Sequence, residues 1–242
     1  MSRWIERYRS GQRRQVWTEM TSLGADVRAD ADGLQDARVI TRETMVRARH
    51  NVERVIEELH ARGFEFEADP LVPPSSGTAA QLDALEAEIG LLPLALRSWF
   101  EEVGQVNLNG RHPAWTFEYP DPLVVEAPID YIRSEYEQWS EARGTQSDRG
   151  ALFEMPVAPD YLHKANVSGG MPYGIAVPNP GADGLLLWEP HQTTFVNYLR
   201  IAFRMGGMPG WQREPALLEE WALADEAPPR WLLDVGEQLL PL

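Results

Sequence analysis

The chain has 242 residues, 43% of them hydrophobic and 24% charged, with 22 basic against 37 acidic side chains and a net charge of −15. That length holds one or two domains with an ample core, so neither disulfides nor a structural metal is needed for folding. There is no cysteine, which excludes a disulfide framework, a cysteine nucleophile, iron–sulfur ligation and thiolate zinc sites.

No apolar run is long enough to predict a transmembrane helix. The five arginines between Met1 and Arg14 lead into no apolar signal segment, so a cytoplasmic location is expected. The charge is unevenly placed. Residues 1–70 carry 12 basic and 13 acidic side chains, whereas residues 71–242 carry 10 and 24. A negative field of that size repels nucleic acid and anionic lipid and favours a basic protein partner, although acidic surface also serves plain solubility. No nucleic-acid or membrane partner is expected; homo-oligomerisation stays open. Among the basic residues only Lys164 is a lysine, which reads as compositional bias.

The predicted elements begin with a helical segment, Trp4, Ile5 and Tyr8 on one face and Val16, Met20 and Leu23 continuing it, interrupted at Gly11. Ala25 to Asp36, with four aspartates and Gly33, reads as a loop. Met45, Ala48, Val52, Val55 and Leu59 then recur at spacings of three and four, an amphipathic helix, and Gly63 suits its end. Phe64 to Glu67 alternates like a short strand. Asp69 to Gly77, rich in Pro, Ser and Gly, reads as a linker and divides a helical N-terminal extension, 1–70, from a second unit, 71–242. Thr78 and Gln81 form a capping-box pattern opening a helix that ends at Gly90. A second helix starts at Pro93 and stops at Gly104. Val106 to Leu108 leads into Asn109-Gly110, a hairpin signal. Trp115, Phe117 and Tyr119 alternate as a strand, Leu123 to Val125 is another, and a helix spans about Asp130 to Glu141. Gly144 to Gly150 is a polar loop. Strands follow at 153–157, 173–177 and 185–188, then a helix capped by Thr194 and ended by Gly206-Gly207. Two short helices, about 215–224 and 230–240, close the chain. Strands joined mainly by turns and helices at both ends predict an α+β fold with a mostly antiparallel sheet, not a doubly wound parallel one.

Leu82 to Gly110, a helix ending in Ile-Gly, a Leu-Pro step, a helix with an aromatic pair and an Asn-Gly turn, resembles the opening of the SUKH superfamily, which includes the Smi/Knr cell-wall-assembly regulators. Asp121 to Val125 and the tail Phe195 to Leu199 through Gly206 to Gly210 resemble its bacterial form, so the likeness spans about residues 78–211. Gln105 departs from it, standing where a glycine is expected. The resemblance implies a SUKH-like mostly antiparallel sheet flanked by helices. It implies an immunity protein that binds and neutralises a toxin domain, or a regulatory and scaffold module, with no shared catalytic constellation.

The residues themselves carry little catalytic pattern. Asp160, His163 and Ser168 invite a triad, and Asp160, His163 and His191 a hydrolytic grouping, but no nucleophile elbow surrounds Ser168. His112, His163, His191, Asp121, Asp183 and Glu189 lack metal-ligand spacing, and no phosphate-binding glycine motif occurs. No catalytic residue, metal or cofactor is therefore expected. Trp and Tyr favour interface anchors, and their occurrence beside acidic residues nominates Trp115, Glu118, Tyr119, Asp121, Asp160, His163, Asp183, Trp188, Glu189 and His191 as partner contacts.

Overall fold

The computed structural model describes residues 4–115, 120–126, 128–145, 151–212 and 227–242. Helices α1 (Ile5–Arg9) and α2 (Arg13–Ser22) open the chain and part at Gly11, where φ is +103°. The segment 25–36, expected as a loop, is a 3-10 turn (Gly24–Arg28) followed by the start of α3 (Ala31–Ala61). The aspartates that suggest a loop include the cap of this helix: the Asp30 carboxylate accepts the Gly33 N–H at 2.8 Å.

α3 buries Ile40, Met45, Val52, Val55 and Leu59 along one stripe, each contributing about 1.5–3 kcal/mol relative to exposure. The polar residues in that stripe are all used. Trp17 Nε1 donates to Thr44 Oγ1 at 3.1 Å, and the Tyr8 hydroxyl lies 2.8 Å from the same oxygen, which fastens α1 and α2 to α3. Asn51 bonds both the N–H and the C=O of Leu240, at 2.8 and 2.9 Å.

β1 (Glu65–Phe66) pairs with β4 (Gly110–Arg111), so Asn109-Gly110 is not the tip of a hairpin but the approach to β1. β3 (Gln105–Asn107) pairs with β2 (Leu71–Val72) on one side and β5 (Val124–Val125) on the other, all antiparallel. The segment 69–77, expected as a linker, thus carries an edge strand. Gly104, at φ +96°, makes this pairing possible, because a Cβ there would come within 2.2 Å of the Val72 carbonyl oxygen. The capping box expected at Thr78 is not made. In α4 (Thr78–Ile89) Gly77 holds the cap position and the Thr78 hydroxyl accepts the Ser75 N–H instead. α5 (Leu94–Glu102) packs on α3, where Ser98 donates to Thr41 at 3.0 Å.

α6 (Ile129–Thr145) runs past its expected end at Glu141. β6 (Phe153–Ala158) and β7 (Tyr173–Val177) form an antiparallel pair, and the Glu126 N–H bonds the Val157 carbonyl at 2.8 Å, joining β5 to β6. The strand expected at 185–188 is reduced to isolated antiparallel bridges, Leu187 with Gly174 and Leu185 with Thr194. α7 (Tyr161–Lys164), α8 (Phe195–Arg204), a 3-10 turn (Pro209–Trp211) and α9 (Arg230–Gln238) complete the order. Phe117 and Tyr119, the helix expected at 215–224 and the end of the loop at 146–150 lie outside the described residues; Trp115 stands in irregular backbone just before them. Buried side chains of 1–70 and of 71–242 belong to one hydrophobic cluster. Among the described residues no helix is long and apolar enough to cross a membrane.

Candidate functional site

Alternate residues of β6 and β7 face the core: Phe153, Met155 and Val157 from one strand, Tyr173, Ile175 and Val177 from the other. Tyr173 carries a hydroxyl into that core, and it donates to Asp121 Oδ2 at 3.0 Å. The other Asp121 oxygen takes the Lys164 ammonium at 2.7 Å. Lys164 is aimed inward by α7, whose cap is Asp160: its carboxylate accepts the N–H groups of Leu162 at 2.8 Å and His163 at 3.2 Å. The ammonium also lies 4.7 Å from the centre of the Tyr173 ring. Aspartate and lysine are only 1% and 6% exposed, so each depends on the other, since a buried charge without a partner is costly.

Tyr198, from α8, closes the cluster, its ring edge-on to Tyr173 with centroids 6.5 Å apart. Burial, and then the field of Asp121, pushes both phenol pKa values well above the ordinary range. Among the described residues the Tyr198 hydroxyl has no hydrogen-bond partner. A second buried pair stands beside this one. Glu189 accepts the His191 N–H at 3.0 Å and the Nδ1–H of the same imidazole, while Nε2 donates to the Gln212 carbonyl. With acceptors at both ring nitrogens the imidazole is held as the cation. Burial, the largest single effect, lowers its pKa, but the hydrogen bond and charge of Glu189, the Gln212 carbonyl and the charge of Asp121 together outweigh it, and the net direction is up.

The nominated residues separate into several places. Asp121, Glu189 and His191 lie in or beside this buried network. Asp160 and His163 flank it on α7, with Asp160 Oδ2 2.5 Å from His163 Nδ1 and the imidazole half exposed. Asp183 is engaged elsewhere: it accepts the N–H of Gly184 at 2.9 Å and of Val196 at 3.3 Å, so while Thr194 holds the cap position of α8 as expected, the side-chain cap bond comes from Asp183. Trp115 belongs to a separate aromatic group, stacked on His112 at 5.0 Å and on Trp231 at 6.0 Å. Glu118 and Tyr119 lie outside the described residues. Trp188 and His163 are the described nominees that face solvent; Trp188 is 57% exposed, with its indole N–H donating to Glu154 Oε2 at 2.7 Å.

Backbone strain gathers here as well. Among the described residues, Asp121, Asn166, Trp188 and Gln192 are the non-glycine residues at positive φ, at 45°, 58°, 64° and 49°. Each is a member of the network or stands within two residues of one. A left-handed asparagine is common, but a left-handed tryptophan is an outlier that the surroundings must hold in place.

Sequence reading missed Lys164, Tyr173, Tyr198 and Glu154. Only Lys164 carried a signal, as the one lysine in a chain of arginines. A compact ammonium suits a closed pocket where a guanidinium fork does not. The hydrolytic grouping is not assembled: both His191 nitrogens are occupied, and among the described residues no hydrogen bond joins Ser168 to His163. Among the described residues no three His, Asp or Glu side chains gather as a metal-binding group. Comparison with protein-family models, with curated proteins and with solved structures gives no match.

Proposed function

We propose that the chain is a non-enzymatic binding protein of the immunity type, cytoplasmic and SUKH-like in its α+β plan, whose acidic surface captures and blocks a basic toxin domain. The observation that carries this reading is the surplus of 24 carboxylates over 10 basic residues in positions 71–242. That leaves 14 negative charges of those positions uncompensated within their own segment. A field of that sign steers a basic protein into contact and speeds its capture. The commitment of Asp160, Asp183, Glu189 and His191 to capping and ion-pair roles supports binding over hydrolysis.

The test is capture from the native lysate on the purified chain, at low and at high salt, with the captured protein identified by mass spectrometry. A single basic protein is expected at low salt and lost at high salt, and co-expression of the chain abolishes that protein's toxicity. Recovery of an envelope or signalling complex would replace this reading with that of a regulatory or scaffold module. Capture that ignores salt would remove the electrostatic mechanism.

A further inference from the structure

We propose that the outer face of the β6–β7 sheet, centred on Trp188 and Glu154, docks an arginine side chain of a basic protein partner. The guanidinium stacks on the indole and pairs with the carboxylate. This rests on the reading of the chain as a binder of a basic protein, and it names the place and the chemistry of the contact.

The antiparallel register lays out that face. Glu154 stands opposite Ala176, and the bridge between Gly174 and Leu187 sets the next segment so that Leu185 falls beyond Ala176. Trp188 follows Leu187, yet its indole reaches Glu154 on the far side of β7. Strands lie about 4.8 Å apart, so the indole reaches across the width of β7 to make this bond. The hydrogen bond to Glu154 lies in the ring plane. It fixes the indole at its edge, and an N–H bond at the edge covers neither ring face; the residue as a whole is 57% exposed. Leu185, 51% exposed, and Leu152, 50% exposed, are further apolar groups on or next to this face.

Two features show that this is not idle surface. The first is that stability is spent on holding Trp188 outward. Its backbone is left-handed at φ 64°, and the turn that follows is locked by the buried Glu189–His191 pair and by a second left-handed residue, Gln192. A core that buries Trp17 and Trp99 had no need to expose this one. The second is charge. Glu154 meets only the indole N–H; among the described residues no cation pairs with it. An aromatic face beside an unpaired carboxylate is complementary to a planar cation, which gains a cation–π contact and a charge-assisted hydrogen bond together. Arginine fits better than lysine because its fork is flat and weakly hydrated. The flanking leucines suit apolar residues beside that arginine, and an exposed tryptophan anchor is the common centre of such an interface.

The test titrates the full chain with the capped tripeptide acetyl-Leu-Arg-Leu-amide, following the Trp188 indole N–H by NMR, assigned by its loss in Trp188→Phe. The resonance is expected to shift saturably, to stay still with the neutral citrulline analogue, and to bind at least about tenfold more weakly in Glu154→Gln, the size of such a polar or cation–π contact. The other indole signals report that the variants are folded. An unmoved Trp188 signal, or an equal response to citrulline, overturns the site. The same variants separate this proposal from the broader one. If the wild type captures a salt-sensitive basic toxin and Trp188→Ala captures it equally well, the docking face is wrong while the function stands. If the peptide binds at Trp188 but no basic partner is captured, the function fails while the arginine site stands. Self-association of the wild type that Trp188→Ala abolishes would put a second copy on this face and overturn the separate partner.

Discussion

Asp183 caps a helix from inside the core, and that position sets its titration. Burial raises its pKa to about 6, against the opposing hydrogen bonds from Thr194, Gly184 and Val196. An unfolded aspartate titrates near about 3.9. Between these values the folded chain holds a proton that the unfolded chain has lost, so stability falls as pH rises from about 4 to about 6 and levels off above. Two pKa units correspond to about 3 kcal/mol. Asp183→Asn keeps an acceptor for Val196 and loses the titration. Its stability relative to wild type is therefore expected to improve by about 2 kcal/mol between pH 4.5 and pH 7, the part of that range still to be lost above pH 4.5, read from urea midpoints; a difference that stays constant with pH would contradict the assignment. Lys164 makes the opposite case, an ion pair stable only as a pair. Lys164→Met leaves Asp121 charged and buried, at an expected cost of about 3–5 kcal/mol. Lys164→Arg is expected to destabilise too, because the closed site beside Tyr173 has no room for a fork. Denaturation of both variants decides it, and wild-type stability in Lys164→Arg would show that the pocket is looser than its burial implies. Neither role was legible in the sequence. Asp121 and Lys164 are 43 positions apart, and nothing local tells that they meet.

Elements were legible where local pattern and tertiary contact agree. The spacing of Met45, Ala48, Val52, Val55 and Leu59 gave α3 because the same stripe is the face the rest of the protein packs on. It was less legible where a tertiary partner supplied the missing group. Thr194 has the right residue type for a cap, but Asp183 delivers the carboxylate from another loop. Asn109-Gly110 has hairpin chemistry, but its strand found β1, more than 40 residues earlier in the chain. Asn51 shows the same logic across the whole length of the chain. Its amide accepts from and donates to Leu240 as a strand neighbour would, and so ties the segment after α9 to the middle of α3. α9 itself approaches α8 so closely that a Cβ on Gly236 would come within 2.2 Å of the Arg204 carbonyl oxygen. Asn51→Ala leaves the Leu240 N–H and C=O to find water or stay unpaired, at about 1–3 kcal/mol. Faster hydrogen exchange is expected in α9 (Arg230–Gln238), with α3 itself unchanged. Equal loss of protection throughout the chain would mean that α9 and α3 unfold only together.

At the scale of the molecule, composition gave the charge, and the order of helices and turn-joined strands gave the class of fold. How the charge is distributed between paired and unpaired groups needed the structure. The N-terminal helices neutralise themselves: Arg7 pairs with Glu19, Arg9 with Glu43, and Arg54 and Arg62 with Glu58. Arg97 serves Asp83, Glu86 and Glu101 at once. Salt weakens such exposed pairs, each worth about 0–1 kcal/mol, and that alone would lower stability. It also weakens the mutual repulsion of the unpaired acids, which acts over longer distances. α6 carries an example, with Glu137 and Glu141 exposed and one turn apart, where like charges oppose the helix. The screening length falls from about 30 Å at 10 mM salt to about 8 Å at 150 mM. The first length covers much of a molecule of this size, while the second spares only contacts close to ion-pair distance. Repulsion among the surplus carboxylates is therefore screened more fully than the pairs are. The melting temperature is expected to rise between these two sodium chloride concentrations by about 2–4 °C, the shift that about 1 kcal/mol makes in a chain of this length. Glu137→Gln with Glu141→Gln should raise the midpoint at low salt and reduce its dependence on salt. A midpoint that falls with salt in the wild type would mean that ion pairs, not repulsion, dominate the surface.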